Sequence, residues 1–167
     1  MIDVDGVISL FGFDPARPPA GRFVLVDGIP HYLSATSGQH LRELADGFEL
    51  VWCSGWEDKA NEYLPLALGL PAALPYLSFE REPGRSGAHW KLAAIDRYAG
   101  PQRPLAWIDD ALDKRCADWA DQRRGPTLLV STESAVGMTD SHLAMLVRWA
   151  ERAALTPHSS SVARRKR

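Results

Sequence analysis

Apolar and polar positions alternate along this chain in two distinct rhythms. Short apolar runs end abruptly in acids, hydroxyls or glycines: Phe48-Glu49-Leu50-Val51-Trp52-Cys53 before Ser54-Gly55, Pro104-Leu105-Ala106-Trp107-Ile108 before Asp109-Asp110, and Thr127 to Val130. Runs of this length, bounded by turn formers, predict buried strands. A further short run, Tyr76 to Phe79, predicts another strand, and Met1-Ile2 the tail of one more ahead of Asp3. Between them the period lengthens to that of amphipathic helices. These are predicted from Ser37, as a cap, to about Asp46, with Leu41 and Leu44 inward and Gly47 as the stop; from Glu57 to Leu68, interrupted by Pro65; from Ala88 to Tyr98; from Ala111 to Gln122; and from a cap at Thr139 or Asp140 to about Ala153. Phe23 to Val26 and His31 to Leu33 flank Asp27-Gly28, a strong hairpin signal. It follows a loop rich in proline and glycine, and a polar loop spans Glu80 to Gly87.

Strands alternating with helices imply a parallel sheet covered on both faces. Right-handed crossovers make the expected fold α/β, a doubly wound three-layer sandwich with five parallel strands and a small hairpin flap. Only Met1 and Ile2 precede Asp3, which is short for a central strand, so the native start is expected upstream.

The chemistry-bearing residues cluster at predicted strand ends. Asp3 closes the first strand and Asp5 lies in the turn beyond it, before Gly6. Carboxylates that converge at the carboxyl edge of a sheet sit where α/β folds bind ligands, and they repel unless a cation intervenes; magnesium is the expected ion. An Asp-x-Asp-Gly run also serves as a plain turn. What adds weight is the order of later pieces: Ser54 after the second strand, Lys91 opening a helix, and Asp109-Asp110 after the fourth strand.

That ordered set resembles the haloacid dehalogenase (HAD) superfamily over roughly residues 1 to 150. The phrases Trp-Cys-Ser-Gly-Trp-Glu, His-Trp-Lys and Trp-Ile-Asp-Asp are similar to a small subgroup of it, some of whose relatives are associated with nucleic-acid repair. The resemblance implies a Rossmannoid sheet of order 5-4-1-2-3, a HAD-like domain over residues 1–155 and a flap at about 9–36. It implies Asp3 as the nucleophile attacking phosphorus and Asp5 as the general acid and base, an acid at that position being what family phosphatases use. Ser54 and Gly55 would hold the phosphoryl oxygens and Lys91 would neutralise developing charge. Magnesium would lie between Asp3, the backbone carbonyl of Asp5, and Asp109, with Asp110 in support. Asp113 is expected at the surface or behind these ligands. The implied function is a magnesium-dependent phosphomonoester hydrolase acting on a phosphorylated small molecule or a nucleic-acid end.

Each residue also has a plainer reading. Ser54 could cap the helix ahead of Glu57, and Lys91 could be a solvated lysine. Trp56 and Trp90 could stack on a nucleobase but are more usual as core residues. His31, Tyr32, His89 and Asn61 could contribute to specificity or serve structure alone. Two readings compete with the enzyme. One is a phosphorylated receiver-like module, which the early position of the hydroxyl disfavours; the other is a HAD-fold binding or regulatory module.

Composition narrows the surroundings. At 167 residues one domain is expected. The formal charge is -2, with 19 basic and 21 acidic residues; removing the four basic residues 164–167 leaves 15 minus 21, or -6. A mildly acidic body argues against a broad nucleic-acid-binding face. The tail from Thr156 to Arg167 is expected to be disordered. Cys53 and Cys116 suggest neither a disulfide scaffold nor a zinc site. No signal peptide or spanning segment is evident, so the expected location is the cytoplasm.

Overall fold

The computed structural model describes residues 1–80 and 87–155. Its strands are β1 (Ser9–Leu10), β2 (Gly21–Val26), β3 (Ile29–Ser34), β4 (Leu105–Asp109) and β5 (Thr127–Ser131). Its helices are α1 (Ser37–Leu44), α2 (Lys59–Leu68), α3 (Leu92–Ala99), α4 (Lys114–Gln122) and α5 (Asp140–Leu155), with a single 3-10 turn at His89–Lys91 ahead of α3. The predicted tail and most of the Glu80 to Gly87 loop lie outside the described residues.

The expectation of a doubly wound sandwich on a five-stranded parallel sheet, in the HAD order 5-4-1-2-3, is corrected by the sheets themselves. One is a three-stranded antiparallel sheet, β1-β3-β2; the other has two parallel strands, β4 and β5, in register from Leu105 opposite Thr127 to Asp109 opposite Ser131. The segments expected as strands one, two and three form no ladder. They meet β4 and one another only through single parallel bridges, Ile2 with Ile108, Ile2 with Trp52, and Trp52 with Tyr76. Each bridge is a pair of backbone bonds, such as Ile2 N–H to the Val51 carbonyl at 2.9 Å and Cys53 N–H to the Ile2 carbonyl at 2.7 Å. The physical reason is the length of paired chain. The first segment turns away directly after Asp3, and Pro75, which carries no N–H, stands immediately before Tyr76.

Those apolar runs are nevertheless buried. Trp52 and Trp107 have no exposed surface, and Ile2, Val4, Val51, Cys53 and Ile108 lie in the core. Apolar character was thus a sound guide to burial, where the dominant favourable term is area removed from water. It was a poor guide to strand pairing.

Local chemistry sets several boundaries. Asp27 (φ +50°) and Gly28 (φ +79°) form the two-residue turn between β2 and β3, with Val26 opposite Ile29. Ser37 does not cap α1; Thr36 holds the N-cap position, and the Ser37 hydroxyl is buried with no hydrogen-bond partner among the described residues. Pro65 sits within α2 without ending it, and Gly69 stops the helix with φ +63°. Asp113 caps α4 by accepting from Cys116 N–H at 3.1 Å, so that helix starts later than predicted. Thr139 rather than Asp140 caps α5, accepting from His142 N–H at 3.4 Å.

Asn61 ties two otherwise unpaired segments together. Its Oδ1 accepts from the Trp52 indole N–H and from Leu74 N–H, both at 3.0 Å, and its Nδ2 donates to the Leu74 carbonyl at 2.7 Å. It therefore serves structure rather than facing the candidate site. Asn61→Ala is expected to destabilise the fold by about 1–3 kcal/mol, because a buried indole N–H loses its acceptor. Urea denaturation should show a lower midpoint with an unchanged slope; an unchanged midpoint would mean that water replaces the amide at no cost.

Candidate functional site

The bridge from Ile2 to Ile108 sets Asp3 level with Asp109, and the bridge from Ile2 to Trp52 sets Asp3 level with Cys53, one residue before Ser54. Asp3 N–H donates to the Ile108 carbonyl at 3.1 Å, fixing that register. Two acids far apart in sequence thus meet at the end of β4.

Lys91 joins them. Its ammonium lies 2.9 Å from Asp3 Oδ2 and 2.6 Å from Asp109 Oδ2, and all three residues are buried. Asp3 Oδ1 accepts from Val4 N–H at 2.8 Å. Asp109 Oδ2 also accepts from the Trp107 indole at 3.2 Å, and its Oδ1 from Ala111 N–H at 3.0 Å. Asp110 completes an acidic cluster in which Asp3, Asp109 and Asp110 each offer an oxygen within 4.8 Å of the others. Three carboxylates against one ammonium carry a formal charge of -2, which a divalent cation would balance. The donors are all carboxylate oxygens, the hard set that magnesium takes. The residues present therefore fit that ion.

Burial raises the Asp3 pKa from the ordinary 3.8 to about 6; repulsion from Asp109 adds to this and attraction to Lys91 opposes it. Burial also works against the Lys91 ammonium, but Asp3 and Asp109 outweigh it and hold that pKa above the usual lysine range. Burial pushes the neighbouring Cys53 thiol up to about 12, which leaves it an inert thiol.

Asp5 takes a different environment from Asp3. The chain coils through one turn from Val4 to Ser9, with Ile8 and Ser9 N–H both donating to the Val4 carbonyl at 2.9 Å and Gly6 at φ +71°. This turn leads the Asp5 carboxylate away from the acidic cluster. Its Oδ2 accepts from the Trp56 indole N–H at 2.9 Å, and its Oδ1 lies 3.8 Å from His31 Nδ1. The Asp5 side chain is thus outside the cluster, and only its backbone carbonyl was expected to bind metal. A methyl group on Gly6 would stand 2.1 Å from Asp110 Oδ2, so this position needs glycine both for its φ and for space.

The remaining predicted residues sort as follows. Ser54 is buried in the turn after Cys53, its hydroxyl accepting from Trp56 N–H at 3.4 Å. Among the described residues no hydrogen bond links it to Asp3 or Lys91. Gly55 is exposed in the same turn. Trp90 packs edge-on against Phe79, and its ring centroid is 5.4 Å from the Lys91 ammonium. Tyr32 donates to the Pro19 carbonyl at 2.7 Å and serves the hairpin. His89 Nδ1 bonds Asp113 at 2.5 Å and its Nε2 meets Arg115 at 3.1 Å, so both ring nitrogens are engaged in holding the turn before Lys91.

Three supporting groups escaped the sequence reading. Ser134 donates to Asp110 Oδ2 at 2.6 Å, Thr132 to the Gly6 carbonyl at 2.8 Å, and Glu57 accepts from Phe79 N–H at 3.0 Å. The run Ser131-Thr132-Glu133-Ser134 directly after an apolar strand was the signal for the first two. A groove of about 290 Å³ lies at the opposite end of β4 beside Phe48, Glu49, Arg103 and Trp149, and none of the site acids lines it. Among the described residues no helix is long and apolar enough to cross a membrane.

No protein-family model and no curated protein sequence matches the chain.

The raised Asp3 pKa gives a signed prediction. A carboxyl with a folded pKa above its unfolded value contributes stability that is full below about pH 4 and lost as pH rises through about 6. A cation held by Asp3 would compete with that proton. Millimolar magnesium is therefore expected to raise Tm more at about pH 7.5 than at about pH 5, and Asp109→Asn to shrink the gain at the higher pH. A magnesium gain that ignores both pH and the substitution would remove this cluster as the binding site.

Proposed function

We propose that this protein is a phosphomonoester hydrolase in which Asp3 is the nucleophile. One observation carries the proposal: Asp3, Lys91 and Asp109, from three distant parts of the chain, are in direct contact inside a cluster completed by Asp110. The likeness of the ordered motifs to HAD phosphatases supports the assignment of roles. The chemistry does not depend on a five-stranded sheet, since it needs only the convergence of these side chains.

Asp3, Asp109 and Asp110 would hold magnesium, with the Asp5 carbonyl. When bound, the ion offsets the repulsion between an anionic phosphate and the carboxylates. A carboxylate oxygen of Asp3 attacks phosphorus as the ester P–O bond breaks. Asp5, protonated at that stage, gives its proton to the departing oxygen. The Lys91 ammonium, already against Asp3, compensates charge on the phosphoryl group. Ser54 and the Gly55 amide hold the other phosphoryl oxygens. Asp5, now a carboxylate, then takes a proton from the water that attacks phosphorus, releasing phosphate and restoring Asp3.

The half-exposed setting of Asp5 suits this exchange with solvent and leaving group, whereas buried Asp3 suits attack. Among the described residues the β2–β3 hairpin reaches the site through His31 beside Asp5, and two strands enclose little of a small substrate. Few enclosing contacts favour a phosphate at the end of a larger molecule, such as a nucleotide or oligonucleotide terminus, over a sugar phosphate.

Turnover of p-nitrophenyl phosphate with magnesium tests the reading. Asp3→Asn should abolish it, because an amide forms no acyl-phosphate. Asp5→Asn should slow turnover by about a hundredfold to ten-thousandfold while phosphoenzyme still forms. Retained activity in Asp3→Asn would refute the nucleophile assignment. For substrate class, the measurement is kcat/KM on a terminally phosphorylated oligonucleotide against a hexose phosphate at one salt concentration, with the oligonucleotide expected to be the better substrate.

A further inference from the structure

We infer that Trp56 is a positioning residue for the proton donor Asp5, and that the β2–β3 hairpin acts through it; the inference rests on the phosphatase reading above. The Trp56 indole N–H donates to Asp5 Oδ2 at 2.9 Å. An indole nitrogen only donates and does not change protonation in the working range of an enzyme. With Oδ2 engaged, the transferable proton of the acid belongs on Oδ1, so one bond selects the oxygen that carries it. Without it, a half-exposed carboxyl on a short side chain turns freely and divides its proton between two oxygens.

The ring that makes this bond is itself held. His31, on β3, packs edge-on against Trp56 with centroids 4.6 Å apart, and its Nδ1 lies 3.1 Å from the Ser9 hydroxyl and 3.8 Å from Asp5 Oδ1. The hairpin that carries His31 is fastened at its tip, where Asp27 bonds both Lys59 and Tyr63 of α2. Trp56 lies two residues after Ser54, whose hydroxyl accepts from the Trp56 amide. The turn proposed to hold the phosphoryl oxygens therefore also places the group that aims the acid. A fixed relation between the two is what in-line displacement with concerted protonation needs.

The consequence is a dependence on the leaving group. A nitrophenolate departs without a proton, whereas an alkoxide must receive one as the P–O bond breaks. Wild type, Trp56→Phe, Asp5→Asn and the double variant, each as full chain with magnesium, would be compared on p-nitrophenyl phosphate and on glycerol phosphate. The parameter is kcat/KM, which covers phosphoryl transfer to Asp3. Trp56→Phe keeps the ring packing and removes the donor. It is expected to widen the preference for the nitrophenyl ester by at least about tenfold, a part of the hundredfold to ten-thousandfold that acid catalysis supplies. In the Asp5→Asn background the same change should widen it no further. His31→Ala is expected to widen the preference in the same direction, and it serves as the readout should Trp56→Phe melt below the assay temperature. Equal losses on both esters, or additive losses in the double variant, would overturn the inference while leaving the phosphatase reading in place. Absence of any Asp3-dependent turnover in the wild type would overturn both.

Discussion

The buried contact of Lys91 with Asp3 and Asp109 is the constraint on which the site and much of the core depend. Removing an ammonium and two carboxylates from water is costly, and their mutual attraction repays this only where geometry is good and the remaining lone pairs are satisfied. Here they are: Val4 and Ala111 supply backbone N–H groups and Trp107 an indole. Even so, burial and the neighbouring carboxylate leave Asp3 reluctant to ionise. Such a cluster is an unlikely device for stability alone, since apolar residues of similar size would serve at least as well.

The same contact is one of several side-chain ties around the sparsely paired segments at Ile2, Trp52 and Tyr76. Single bridges are enough when the chain ends of those segments are fixed by other means. Asn61 clamps Trp52 to Leu74, Lys91 draws Asp3 to Asp109, and Thr132 holds the Gly6 carbonyl. Side-chain bonds here do part of the work that ladder bonds do between β4 and β5.

That division marks what was legible in the sequence. Asp27-Gly28 announced its hairpin because the turn demands positive φ at two adjacent positions, which few dipeptides accept. Leu105 to Ile108 and Thr127 to Val130 were legible as strands, each running one residue further in the structure, and the later helices by their period. Phe48 to Cys53 misled because an apolar run reports burial, and a buried segment needs its backbone bonded but not bonded as a ladder. Among site residues, the acids and Lys91 were legible from their order at the ends of apolar runs. Ser134, Glu57 and the bond from Trp56 to Asp5 were not, because a side chain's partner across 24 or 51 residues leaves no periodic trace.

Two aspartates separated by one residue might be expected to behave alike, yet the turn between them makes them chemically distinct. Asp3 ends an interior segment and inherits its low dielectric, a cationic partner and a second carboxylate. Gly6, at a positive φ that glycine adopts without strain, turns the chain at once, and Asp5 stands half in solvent beside an indole and an imidazole. A group that must attack benefits from fixed position and exclusion of water, whereas a group that must exchange protons with a leaving oxygen and then with water needs access to both. The spacing therefore matters less than the turn. The glycine lets one carboxylate remain in the core and leaves the one two residues on half in solvent, and the close approach of Asp110 to Gly6 ties that turn to the same acidic cluster.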